Sequence, residues 1–127
     1  MQKLTKLWLE LKPKLFYVVF SIVTLGSLMP QTSVPPVLQT LSDKTLHILM
    51  YLAFSASLFW FLEKRTSQHQ SLWLSISLSI AFGALMEVLQ GQYIPGRFGS
   101  VLDLIANIIG VFTFVLLHQL NKKIFKN

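Results

Sequence analysis

Four runs of apolar residues constrain what this chain can fold into more than any other feature of its sequence. They predict transmembrane helices over about 13–30, 43–62, 72–90 and 101–120, because each run has roughly the length that a bilayer requires. Hydrophobic residues make up 53% of the 127 residues and charged residues only 13%. A soluble domain of this size needs more charge to cover its surface. The sequence therefore predicts an all-α integral membrane protein, a single-domain, compact bundle of four transmembrane helices.

The distribution of basic residues predicts the orientation of these helices. Cytoplasmic segments of membrane proteins are enriched in Lys and Arg. The two ends of the chain and the connection between the second and third runs are basic, whereas the other two connections carry Arg97 alone. We therefore expect both termini in the cytoplasm and the other two connections outside. The basic residues on the predicted cytoplasmic side are Lys3, Lys6, Lys12, Lys14, Lys64, Arg65, Lys122, Lys123 and Lys126.

Two other interpretations of this charge pattern are weaker. The net charge of +6 could suggest nucleic acid, but the basic residues flank apolar runs and do not alternate with aromatics on one face, so no nucleic-acid partner is expected. The first run could be a signal peptide, because a basic stretch precedes it. It ends in Leu28-Met29-Pro30-Gln31 without a small-residue cleavage pattern, which favours a retained helix.

Polar residues gather on the predicted outward side, where ionisable groups are costly and usually have partners. Helical spacing places them on shared faces. Asp43, His47 and Tyr51 recur every four residues, and Asp103 lies one turn before Asn107. Glu87 follows a stripe of small residues, Ser75, Ser79 and Gly83, that favours close helix packing. We expect one polar cluster formed by Asp43, Lys44, His47, Tyr51, Glu87, Gln90, Arg97, Asp103 and Asn107.

Several of these residues also have purely structural interpretations. Asp43 follows Ser42 at a helix start, where an acid complements the helix dipole. Ser100 and Asp103 have the spacing of a capping box. Glu87 could form a structural ion pair with Arg97.

Four kinds of function remain open for the cluster. A proton or ion pathway has little support, because the cytoplasmic half offers only Ser55, Ser75, Ser77 and Thr113. Lys44 and Arg97 lie beside two helix amino termini, which suits a phosphate or carboxylate. In an enzyme, His47 oriented by Asp43 would be the base, and Glu87 or Asp103 would be the acid partner. His47 with Asp43, Glu87 and Asp103 is a possible metal-ligand set, but no metal-site spacing signature is present and the chain has no cysteine. We expect no metal and no other cofactor.

Two sequence blocks resemble the VanZ-like family. The run from Asp43 to Tyr51 matches the pattern D-K-x-x-H-x-x-x-Y. The stretch from Glu87 to Gly110 matches E-x-x-Q, then P-G-R, then D-x-x-x-N-x-x-G. The resemblance implies a multi-pass protein of the bacterial cell membrane with a link to teicoplanin resistance. It also implies membrane lipids, a lipid-linked wall precursor or a glycopeptide as partners, but it names no reaction.

Overall fold

The computed structural model describes residues 1–39 and 42–125, and these residues form helices and their connections without any strand. The prediction of an all-α protein is confirmed. The helices are α1 (Gln2–Leu11), α2 (Leu15–Leu28), the short α3 (Pro36–Gln39), α4 (Asp43–Leu62), α5 (Gln68–Tyr93) and α6 (Val101–Phe125), with one 3-10 turn at Gln31–Ser33. Lys126, one of the predicted cytoplasmic residues, lies outside the described residues.

Three of the predicted spans correspond to long helices. Each of α4, α5 and α6 is long and apolar enough to cross a membrane. The predicted span 72–90 is longer in the structure, because α5 begins four residues earlier at a capping box formed by Ser67 and Gln70. Likewise α6 extends past residue 120, where its last turn carries Lys122 and Lys123. Hydropathy marks the apolar part of a helix, and polar turns extend it at either end.

The first predicted span, 13–30, differs most from the structure. The helix at this position, α2, has 14 residues, or about 21 Å at 1.5 Å per residue, which is shorter than a bilayer core. It reaches the length of a span only together with α1, and the two helices are bent by 45° at the break between them. The described residues thus contain three spans, or four if α1 and α2 cross as one bent segment. Trp8 packs edge-on against Trp60 at 5.9 Å, so α1 contacts the end of α4.

The centre of the bundle is α4, which contacts α2, α5 and α6 and packs most extensively against α6. The two helices approach closely at Gly110 of α6, where an added Cβ would overlap the carbonyl oxygen of Ile48. On the opposite side, Phe54 of α4 stacks on Phe82 of α5 at 4.9 Å. The predicted small-residue stripe of α5 does face inward, since Ser75 and its neighbours on that face are fully buried. One end of the bundle joins three helix termini: the amino ends of α4 and α6 and the carboxyl end of α5. It is called here the polar end, and it contains His47, Glu87 and Asn107.

The Gly110 approach gives a direct test of the packing. Gly110→Ala should lower the stability of the purified protein by about 1–3 kcal/mol, because the methyl group would force α4 and α6 apart. Thermal unfolding in detergent, followed by circular dichroism, measures the loss. Gly26→Ala is the matched control, since a Cβ there meets only the Met50 sulfur at an ordinary 3.8 Å. Equal unfolding temperatures for the two variants would contradict this packing.

Candidate functional site

The polar end brings together residues from α4, α5 and α6. Within it, His47, Glu87, Gln90, Asp103 and Asn107 are buried. Asp43 is about half exposed, as expected for a residue in the first turn of α4. Side-chain contacts described below connect these residues across helices. The convergence that the sequence predicts is therefore present for Asp43, Lys44, His47, Glu87, Asp103 and Asn107.

His47 is the centre of this arrangement. Its Nδ1 lies 2.8 Å from Oδ1 of Asn107 on α6, and an amide oxygen only accepts hydrogen bonds, so Nδ1 carries a proton. Glu87 Oε1 is 3.8 Å from the same nitrogen. The other nitrogen, Nε2, lies 3.9 Å from Asp43 Oδ1. In the neutral ring, Nε2 is therefore the basic nitrogen, and it faces Asp43.

Glu87 caps a helix to which it does not belong. Its Oε2 accepts a hydrogen bond from the backbone N–H of Ser100, 3.0 Å away, at the start of α6. The loop can come this close because residue 99 is glycine, since a Cβ there would overlap the carbonyl oxygen of Glu87. The described residues contain no ion pair between Glu87 and Arg97, which the sequence had left open as a structural explanation. The role of Glu87 is to satisfy an end of α6 that would otherwise have an unpaired donor.

The capping box predicted at Ser100 and Asp103 forms only in part. The Asp103 N–H donates to Ser100 Oγ at 3.4 Å, but the Asp103 carboxylate does not return the bond. It forms an ion pair with Lys44 of α4 instead. Lys44, expected to help hold an anion, is thus engaged by Asp103 and also lies 3.7 Å from Asp43.

Six buried side-chain polar atoms lack a hydrogen-bond partner among the described residues, and three of them lie on α4, α5 and α6 next to the contacts of His47. These three are Tyr51 Oη, Glu87 Oε1 and Asn107 Nδ2. Gly83 lets the side chains of Tyr51 and Asn107 pack directly against α5, because a Cβ there would lie only 3.1 Å from both Asn107 Nδ2 and a Tyr51 ring carbon. Buried polar atoms normally find partners, so these three atoms are the unsatisfied part of the buried network.

A cavity of about 310 Å³ opens beside this network. Asp43, His47, Gln90 and Arg97 form its polar wall. Arg97 Nε is buried and has no hydrogen-bond partner among the described residues. Gln90 is fixed by a 2.6 Å hydrogen bond from its Nε2 to the Ser27 carbonyl of α2. The remaining walls are mostly apolar and come from α2, α4 and the segment between them: Ile22, Leu25, Met29, Val34, Pro35, Leu38, Leu46 and Met50.

A larger depression of about 530 Å³ also reaches Glu87, between α5 and α6. Its lining is mostly apolar, with Phe98 and Val101 strongly exposed. No lining residue carries a positive charge. The smaller cavity therefore combines a positive charge with apolar walls, whereas the larger one has no positive charge to attract an anion.

The possible metal-ligand set is only partly assembled. Ligand atoms of Asp43, His47 and Asp103 lie within 4.8 Å of one another, whereas Glu87 approaches the Nδ1 side of His47. Lys44 sits against both aspartates. Its ammonium forms the shorter contact with Asp103, so one of the three possible ligands is already engaged.

The fold and the site together define a multi-pass α-helical membrane protein with a polar cavity at one end. No family model, curated protein or solved structure matches the chain. The likeness to VanZ-like proteins therefore stays a resemblance of motifs, and the chemistry of the site has to be argued from its geometry.

The cap formed by Glu87 predicts a difference between two substitutions. Glu87→Ala leaves the Ser100 N–H without its acceptor and should cost about 1–3 kcal/mol of stability. Glu87→Gln keeps a side-chain oxygen at the same position and should cost clearly less. Thermal unfolding of both variants in detergent measures this difference. Equal losses of stability in the two variants would show that the hydrogen bond to Ser100 does not explain the stabilising effect of Glu87.

Proposed function

We propose that this chain is a VanZ-like protein of the bacterial cell membrane that acts as a non-enzymatic cell-envelope module. Its polar end faces outward and binds the anionic head group of a membrane lipid or of a lipid-linked wall precursor. Both termini lie in the cytoplasm, as the Lys and Arg distribution indicates. The motif resemblance links such a protein to glycopeptide resistance, and to teicoplanin in particular.

The observation that carries this proposal is that the guanidinium of Arg97 has a buried, unpaired donor. Asp103 neutralises Lys44, but the described residues contain no ion pair or side-chain hydrogen bond of Arg97. Its Nε is nevertheless buried. A buried donor on a charged group is costly when unpaired, and a phosphate or carboxylate would satisfy it with a charge-assisted bond.

The shape of the cavity supports an amphiphile as the ligand. Its polar residues form one wall and its apolar residues the others, which matches a charged head joined to a hydrocarbon chain. A volume of about 310 Å³ is at the small end of ligand sites. It suits a head group and the beginning of a chain, with the rest of the molecule in the bilayer.

A membrane-embedded enzyme acting on a lipid-linked envelope substrate is the second candidate, and His47 favours it. Asn107 fixes the ring, and the basic Nε2 lies on the side of Asp43, which lines the cavity together with Arg97. A base beside an anion-binding group can catalyse proton transfer. Because His47 lines the cavity and bonds Asn107, His47→Gln separates the candidates by comparing two losses at normal membrane abundance. In a binding module lipid binding and biological activity should fall together, whereas an enzyme should lose activity far beyond any loss of lipid binding.

Fusions to alkaline phosphatase test the orientation. The enzyme is active only outside the cytoplasm, so a fusion after Ser33, between α2 and α4, should be active. A fusion after Ser67, between α4 and α5, should be inactive. The reverse result would place the polar end in the cytoplasm and refute the proposed outward site.

Substitution of Arg97 tests the binding site. Arg97→Lys keeps the charge but loses bidentate geometry, and it should retain several-fold less phospholipid after purification. Arg97→Gln should retain still less. Native mass spectrometry of the detergent-purified protein measures bound lipid, and a glycopeptide-sensitivity assay measures the effect in cells.

Arg65→Lys is the matched control, because Arg65 lies on Phe61 at the opposite end of the bundle. It should bind lipid like the unmodified protein. Full lipid retention by Arg97→Gln at normal membrane abundance would refute the anion site.

A further inference from the structure

We infer that the head group bound at this cavity carries a hydrogen-bond donor, an amine or a hydroxyl, beyond its phosphate. This inference rests on the proposed function and narrows its ligand. The observation behind it is that the cavity wall presents two opposite charges, Arg97 and Asp43, that are not paired with each other.

Asp43 is available as an acceptor. Its nearest charged neighbours are Lys44 Nζ at 3.7 Å and His47 Nε2 at 3.9 Å. Both distances exceed that of a hydrogen bond. The Lys44 ammonium lies between Asp43 and Asp103 and is closer to Asp103, so the Asp43 carboxylate keeps room for a donor. An ionised carboxylate can only accept hydrogen bonds, so Asp43 can accept from a ligand.

The two charges are also held apart. No ion pair within 4.0 Å joins Asp43 to Arg97 in the described part of the chain, although both line the same cavity. Asp43 is placed by the first turn of α4, and Arg97 by the loop between α5 and α6. A ligand that reaches both must therefore offer an acceptor to one and a donor to the other.

Electrostatics favours the same kind of ligand. A phosphate without a donor would be attracted by Arg97 but repelled by the nearby Asp43 carboxylate. A donor placed on Asp43 turns that repulsion into an attraction, so the ligand and the cavity become complementary. Phosphoethanolamine and phosphoglycerol head groups have this chemistry, and a phosphomethanol head group does not.

Competition between lipids of identical acyl chains tests the inference on the full-length protein in detergent. Phosphatidylethanolamine, phosphatidylglycerol and phosphatidylmethanol are added in equal amounts, and bound lipid is measured by native mass spectrometry. Phosphatidylethanolamine or phosphatidylglycerol should be retained about tenfold more than phosphatidylmethanol, the factor expected for one hydrogen bond to a charged group. Whichever of the two is preferred identifies the donor as amine or hydroxyl.

Variants at Asp43 assign the preference to this residue. Asp43→Ala should still bind phospholipid but retain phosphatidylmethanol as well as the others. If the alanine variant does not fold, Asp43→Asn should weaken a preference for the amine head group, since the negative charge is lost. Glu63→Ala, a partly exposed carboxylate at the other end of α4, is the control and should keep the preference.

The two proposals fail in different ways. Equal retention of all three lipids, with binding still dependent on Arg97, would overturn the donor inference and leave the anion site intact. An unchanged preference in Asp43→Ala would also overturn the inference. If substitution of Arg97 or of Asp43 changes neither the amount nor the kind of lipid retained, both proposals are overturned.

Discussion

The polar end of this protein depends on one buried contact, the hydrogen bond between His47 of α4 and Asn107 of α6. Polar groups within a membrane bundle are expensive unless they satisfy one another. The two helices can come close enough for this contact because Gly110, one turn further along α6, has no side chain to separate them from Ile48. The same close approach lets Lys44 of α4 reach Asp103 of α6.

The way in which charges are satisfied decides where a ligand can bind. Glu87 accepts the Ser100 N–H, and Lys44 pairs with Asp103, so these groups contribute to the architecture. On the wall of an otherwise mostly apolar cavity, Arg97 has no side-chain partner among the described residues. Asp43 faces Lys44 and His47 there at 3.7 and 3.9 Å, beyond hydrogen-bonding distance. The proposed site therefore consists of charged groups that no other helix neutralises fully. Its ligand has to supply complementary charge together with apolar surface.

Sequence patterns predict the long helices and the convergence of His47, Asp103 and Asn107 well, because hydropathy and four-residue spacing follow directly from helix geometry. They do not predict pairings between helices. From its position beside a helix terminus, Lys44 is expected to attract an anion, yet it pairs with Asp103, 59 residues later. The sequence also does not predict that Val34 and Pro35 line the cavity, because apolar loop residues have no periodicity and no distinctive chemistry. For the first span, hydropathy does not reveal the 45° bend between α1 and α2, so the sequence does not predict that this span would need both helices.

The central claim is that a lipid phosphate sits on Arg97. Since Arg65 and Arg97 are the two arginines of the chain, the Arg65→Lys protein labelled with [15N]arginine reports on Arg97 alone. Solid-state NMR in phospholipid bilayers can then measure dipolar coupling between the guanidinium nitrogens and lipid phosphorus. Clear dephasing of the Arg97 signal by phosphorus, at the short range of a hydrogen-bonded phosphate, is the predicted result. An Arg97 signal that phosphorus does not dephase, in a folded protein surrounded by phospholipid, would contradict the account.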